Sequence, residues 1–169
     1  LVDGAAGASE PAALNHSALT RQLIEHEGMR LKPYDDKTGE ELRLGDTLRG
    51  KLTVGIGRNL THRGISTVEA HMLLSADIVN VIRDLDHHLP SWRGLDGIRQ
   101  LVLADMAFNL GVGGLMQFTG TLQALGRGDY HATADHMLAS LWASQVGKRA
   151  KRLALMMDTG QPVRLEDVA

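Results

Sequence analysis

Strand-forming residues are confined to one short stretch of this 169-residue chain, and that confinement limits the fold more than any other feature. Between about residues 31 and 58 lies Leu52-Thr53-Val54-Gly55-Ile56-Gly57, a β-branched run closing on two glycines. A polar turn, Tyr34-Asp35-Asp36-Lys37-Thr38-Gly39, comes before it. Glu40 to Gly50 interrupts the stretch, and its charges and glycines predict a surface excursion within a hairpin. The remainder reads as helix. Asn15 or Ser17 can cap a first helix that carries Ala18, Leu19, Leu23 and Ile24 and ends at Gly28. Ser66-Thr67-Val68-Glu69 is a capping box that opens a long helix through Val68, Met72, Ile78, Val79, Ile82, Leu85 and Leu89 to Pro90. Leu95 to Leu110 is apolar nearly all round, through Ile98, Leu101, Val102, Ala104, Met106 and Phe108, which predicts a central buried helix stopped by Gly111. Shorter helices are predicted at Gly114 to Phe118, from a Thr119 cap to Gly126, after an Asp129 cap, and from about Gly147 to Asp158, closed by Gly160. One small β region among helices predicts a mainly helical α+β fold.

A chain of this length suits one domain, with residues 16–169 folded and residues 1–15 a linker or leader. The start, Gly4-Ala5-Ala6-Gly7-Ala8-Ser9-Glu10-Pro11, is too poor in large apolar groups to offset ordering entropy. The absence of cysteine excludes disulfides and thiolate metal sites. Lysine and arginine total 18 against 20 acids, so no net charge draws the whole chain to nucleic acid or an anionic membrane. No apolar run approaches the roughly 18 residues of a membrane span, so no stable membrane insertion is expected. Neither a basic segment nor an apolar signal core opens the sequence, which begins on Leu1 and is expected to be a fragment or a processed product.

Two carboxylates frame the β stretch. Glu27 closes the first helix and Asp36 follows after eight residues, in the polar turn. A hairpin can carry Thr53 back toward them. Cleavage of a glycosidic bond needs one acid to protonate the leaving oxygen and a second to activate water or attack the sugar, in different environments. On spacing alone the same residues read more readily as a solvated helix end and a turn former. Other signals are weaker. Gly55-x-Gly57 lacks the third glycine of a dinucleotide fingerprint. The eight histidines include no His-Glu-x-x-His, and the adjacent His87 and His88 cannot share one helix face. Lys148, Arg149, Lys151 and Arg152 near Trp142 form a basic cluster with too few aromatics for nucleic-acid binding. Trp142 and Arg149 stand seven apart, close to two turns if that segment is one helix.

Six ordered blocks of sequence carry a resemblance. They are Glu27-Gly28-Met29-Arg30-Leu31 with Tyr34 and Asp36; Leu52-Thr53-Val54-Gly55-Ile56-Gly57-Arg58-Asn59-Leu60; Met106-Ala107-Phe108-Asn109-Leu110-Gly111; Phe118-Thr119; Trp142 through Gln145 to Arg149-Ala150-Lys151-Arg152; and Thr159-Gly160. In these blocks the chain resembles the phage-type lysozymes of glycoside hydrolase family 24, including the endolysin muramidases, from about Leu23 to Gly160.

The resemblance implies a two-lobed lysozyme-like fold with a small β-hairpin lobe and a long connecting helix. It implies hydrolysis of the β-1,4 bond between N-acetylmuramic acid and N-acetylglucosamine in peptidoglycan, with inversion and without a cofactor or metal. By position, Glu27 is the general acid, Asp36 the second carboxylate, Thr53 the residue that helps hold water, and Arg149 the partner of Glu27. Tyr34, Arg58, Asn109, Phe118 and Gln145 stand where substrate-binding or supporting residues are expected. The chain departs from the short family members in the excursion at Glu40 to Gly50, in Arg58 where the T-even enzyme has histidine, and in Asn109 where it has glutamine. That histidine supports the second acid, so the support of Asp36 is left open. A lytic transglycosylase and a catalytically silent wall-binding module are the alternative readings. The expected partner is the glycan strand, met by a monomer made in a bacterial host's cytoplasm and acting on the wall in the periplasm, or carried on a virion.

Overall fold

A computed structural model of the chain describes residues 14–168. It is mainly helical, with eight α-helices and one three-stranded antiparallel sheet among the described residues. The proposed linker, residues 1–15, falls almost wholly outside them. The chain divides into two compact units at Thr67.

In the first unit, helix α1 (His16–Glu27) begins at Asn15, whose side-chain oxygen accepts the Ala18 N–H, and stops at Gly28, where φ is +71°. The sheet follows as β1 (Arg30–Asp35), β2 (Leu52–Gly55) and β3 (Arg58–Asn59), in spatial order β1-β2-β3. Tyr34 pairs with Thr53 and Asp35 with Leu52, while Thr53 pairs on its other side with Asn59. A register shift between Arg30 and Tyr34 bends β1. The excursion lies at the surface as expected, and its first part is bonded to the sheet. Residues 39–42 fold back along the free edge of β1: Asp35 N–H donates to Glu40 O at 3.0 Å, Leu42 N–H donates to Pro33 O at 3.0 Å, and Tyr34 bridges Glu41. Lys32 pairs with Glu41 at 3.0 Å, and Arg30 donates to Gly39 O at 2.7 Å while stacking over Tyr34. These contacts cover an edge that would otherwise present unpaired backbone.

The second unit opens with α2 (Thr67–His88), ended just before Pro90, which begins a short 3₁₀ turn at Pro90–Gly94. Next come α3 (Gly97–Leu110), α4 (Val112–Leu115), α5 (Thr119–Gly126), α6 (Tyr130–Leu138), α7 (Leu141–Val146) and α8 (Lys148–Thr159). The structure revises several predicted boundaries. Helix α3 starts two residues late because Asp96 caps it, accepting the Ile98 and Arg99 N–H groups. Thr119 is the first residue of α5 rather than its cap. Trp142 and Arg149 are not on one helix: Gly147, at φ +55° and ψ −119°, breaks the chain into α7 and α8. Ser140 supplies the cap of α7, which the sequence reading did not separate.

The apolar core belongs to this unit, with Leu85, Val102, Leu103, Met106, Leu115, Met137, Trp142, Leu153 and Met157 buried together. Helix α3 is buried on one face only. Leu101 and Phe108, expected to be interior, instead border an apolar groove of about 440 Å³ with Leu74 and Ile78. Arg99 fastens α3 to the end of α8. It donates to Met157 O at 2.7 Å and Asp158 O at 2.8 Å, pairs with Asp96 at 2.6 Å and lies 3.6 Å over the Tyr130 ring. None of the described helices is long and apolar enough to cross a membrane.

Candidate active site

Five of the expected residues, Glu27, Tyr34, Asp36, Thr53 and Arg58, fall in the first unit. Glu27 is the last residue of α1, and its carboxylate rests against the turn between β2 and β3. A Cβ placed on Gly57 would stand 2.9 Å from Glu27 Oε2. Gly57 also has φ +66°, so both the turn and the carboxylate exclude a side chain there. On the sheet, side chains alternate between faces, and cross-strand partners share one. Thr53 therefore lies on the face of Tyr34, and Asp36 stands in the turn just past the end of β1. Asp36 and Thr53 meet at Lys51: Asp36 N–H donates to Lys51 O at 3.1 Å, Thr53 Oγ1 donates to the same oxygen at 3.2 Å, and Lys51 N–H donates to Asp36 Oδ1 at 2.6 Å. Thr53 is buried and Asp36 exposed. With its proton committed to Lys51 O, the Thr53 hydroxyl keeps lone pairs to accept from water.

Asp35 is enclosed where Asp36 is exposed. It is 2% exposed, and its two oxygens accept four backbone N–H groups. Burial alone would raise its pKa, but the N–H groups of Arg49, Lys37, Gly50 and Thr38 outweigh it and hold the carboxyl below the ordinary value. Neighbours in sequence thus have opposite surroundings.

Arg58 directs Nε to Gly64 O at 3.0 Å. The remaining expected residues lie in the second unit. Trp142 Nε1 donates to Asn109 Oδ1 at 2.8 Å, and Phe118 meets the Trp142 ring edge to face, with centroids 6.2 Å apart. Phe118, Trp142 and Gln145 border a hollow of about 440 Å³, together with His136 and Ser140, which sequence reading did not single out. Arg149 has a partner that the sequence reading also missed. Its guanidinium meets Asp105 Oδ1 through Nε at 2.8 Å and Nη2 at 2.7 Å. Arg152 Nε donates to Val163 O at 2.6 Å, so two arginines of the basic cluster hold internal partners. His87 and His88 meet edge to face, and no three His, Asp or Glu side chains among the described residues are gathered to hold a metal ion.

The model of the phage lysozyme family matches residues 24–156. The chain is 30% identical over 160 residues to the pre-baseplate central spike protein Gp5 of Enterobacteria phage T4, which covers 85% of this chain and 28% of that protein. It is 24% identical over 156 residues to probable T4-type lysozyme 2 of Dictyostelium discoideum and 23% identical over 157 residues to probable T4-type lysozyme 1 of the same organism. Each of these matches covers 75% of this chain and 91% of the relative. The chain therefore spans less than a third of the spike protein and nearly all of the Dictyostelium proteins. The family match takes in Glu27, Asp36 and Thr53 on the first unit and Asn109 and Arg149 on the second, and the chain belongs to the phage lysozyme family.

Proposed function

We propose that the protein is a peptidoglycan hydrolase, a lysozyme that cleaves the β-1,4 bond between N-acetylmuramic acid and N-acetylglucosamine. The observation that carries this reading is the convergence of Asp36 and Thr53 on Lys51, in the same unit that seats the Glu27 carboxylate against Gly57. Glu27 gives its proton to the glycosidic oxygen as the bond from the anomeric carbon breaks. Water, oriented by the Thr53 hydroxyl, attacks that carbon from the opposite face, and Asp36 takes the proton it loses. One proton enters the leaving group and one reaches Asp36, so the two acids exchange protonation states and solvent resets them. Water entering opposite the departing oxygen inverts the anomeric centre.

The role given to Arg149 toward Glu27 rests on the family resemblance alone. The proposed partner is the glycan strand and the proposed state is a monomer. The site of action is the cell wall, reached from the host cytoplasm or on a virion, and the likeness to a baseplate spike protein supports the second route. Product analysis on purified sacculi tests the reading. New reducing ends released as the inverted anomer are expected. Anhydro-sugars would make the chain a transglycosylase, and intact strands would leave it a binding module. Glu27→Gln should lower turnover by about 10²- to 10⁴-fold with an unchanged melting temperature. A variant within tenfold of the parent would remove Glu27 from its role.

A further inference from the structure

We propose that Asp35, together with Gly50, is the positioning device for the second acid: it closes the excursion and thereby sets Asp36. The inference rests on the reading of Asp36 as that acid. The two oxygens of Asp35 divide the work. Oδ1 accepts from Lys37 N at 2.9 Å and Thr38 N at 3.4 Å, at the start of the excursion. Oδ2 accepts from Arg49 N at 2.5 Å and Gly50 N at 3.0 Å, at its end. One carboxylate therefore ties both ends of a loop that has no apolar core of its own. The next amide, Lys51 N–H, falls on Asp36 Oδ1. Arg49, Gly50 and Lys51 thus present three consecutive N–H groups to two consecutive carboxylates, the first two to Asp35 and the third to Asp36.

Gly50 is needed for this register. A methyl group there would run into Asp36 Oδ1 and stand 2.6 Å from Asp35 Oδ1 and 2.6 Å from Lys37 Cβ. The backbone of Gly50 does not require glycine, since its φ is not in the left-handed region. The restriction comes from the two carboxylates and the Lys37 side chain. The Asp36 carboxylate is held from the end of the excursion, by Lys51 N–H.

The test uses Asp35→Asn and Gly50→Ala in the full chain. Asparagine places an NH₂ group against N–H donors, and alanine pushes on Asp36 directly. Each variant should lose about ten- to a hundredfold in kcat, the cost of a misplaced reacting group. KM on soluble glycan strands should stay within about twofold, because strand binding is not altered. Amide hydrogen exchange read by NMR should show Lys51 exchanging about tenfold faster in Asp35→Asn than in the parent. A kcat that holds while KM rises, or activity that falls only with the unfolded fraction measured by circular dichroism, makes Asp35 a plain loop anchor and overturns the proposal. Should Asp35→Asn not fold, Gly50→Ala decides by the same kcat and KM criterion. A parent chain inactive on sacculi would sink the lysozyme reading, and the pin would then stand or fall on the Lys51 amide.

Discussion

The two units are held by different physics. The second buries Leu85, Val102, Leu103, Met106, Leu115, Met137 and Met157 in one apolar cluster, whereas none of the fully buried apolar side chains among the described residues belongs to the first. Among its described residues, the buried side chains of the first unit are Asp35 and Thr53, both polar and both hydrogen-bonded. An apolar core is non-directional and tolerates some repacking, while a hydrogen bond holds an atom at a distance and an angle. The acids proposed to act on the substrate lie in the unit built by direction. That unit gains placement at the expense of core, and the second gains core.

Substitutions can break or sharpen this contrast. The largest effect is expected at Asp36. Asp36→Asn keeps an oxygen for the Lys51 N–H, so the melting temperature should hold while turnover falls by about 10²- to 10⁴-fold. Thr53→Ala should cost less, because threonine only orients the water. If the two effects come in the reverse order on purified sacculi, the division of labour between base and water holder is wrong.

In the second unit the expected response is the opposite. Met106→Ala empties a fully buried site and should cost about 2 to 5 kcal/mol in chemical denaturation, with kcat of the folded fraction retained. Loss of kcat without loss of stability would deny that the core and the site are separable. Arg99→Met should cost roughly 2 kcal/mol, since Met157 O and Asp158 O lose a charged donor. A variant as stable as the parent would show that the packing of α3 on α8 does not use that fastening.

The smallest effect is a pH dependence at Asp86. Its carboxylate accepts from Arg93 and from Trp92 Nε1, which together with the Arg93 charge lower its pKa from 3.8 to about 2 against burial. A depressed folded pKa means that the contribution is present above about pH 4 and disappears as pH falls toward 2. Asp86→Asn should flatten stability across that window and leave it unchanged in slope near neutrality. An acid transition as steep as the parent's would place the titration elsewhere.

Much of this was legible because it is local. Asn15 and Gly28 bound α1, Asp129 caps α6, and Pro90 follows the end of α2, each through one residue's own backbone or side-chain chemistry. The β stretch and its excursion were also visible, from β-branched residues and from charges and glycines. The misses have physical causes. The start of α8 at Gly147 was visible, but α7 and its Ser140 cap were not, because a lone serine within an apolar segment is weak punctuation. Leu101 and Phe108 read as interior because α3 is apolar all round, and periodicity says nothing about which face a neighbour covers.

The sequence by itself determined the class of fold, the family and the order in which Glu27, Asp36 and Thr53 occur, because propensity, capping and spacing are properties of short segments. Only the tertiary structure decided which backbone groups Asp35 and Asp36 each accept. In the sequence they are two equal carboxylates in one turn. Their difference arises from Arg49, Gly50 and Lys51, more than a dozen residues away, whose N–H groups reach the two side chains only once the excursion has closed. The same holds for Arg149, whose partner Asp105 is 44 residues distant. Hydrogen bonds between residues far apart in the chain leave no periodic trace in it, since each depends on backbone placed by many other contacts.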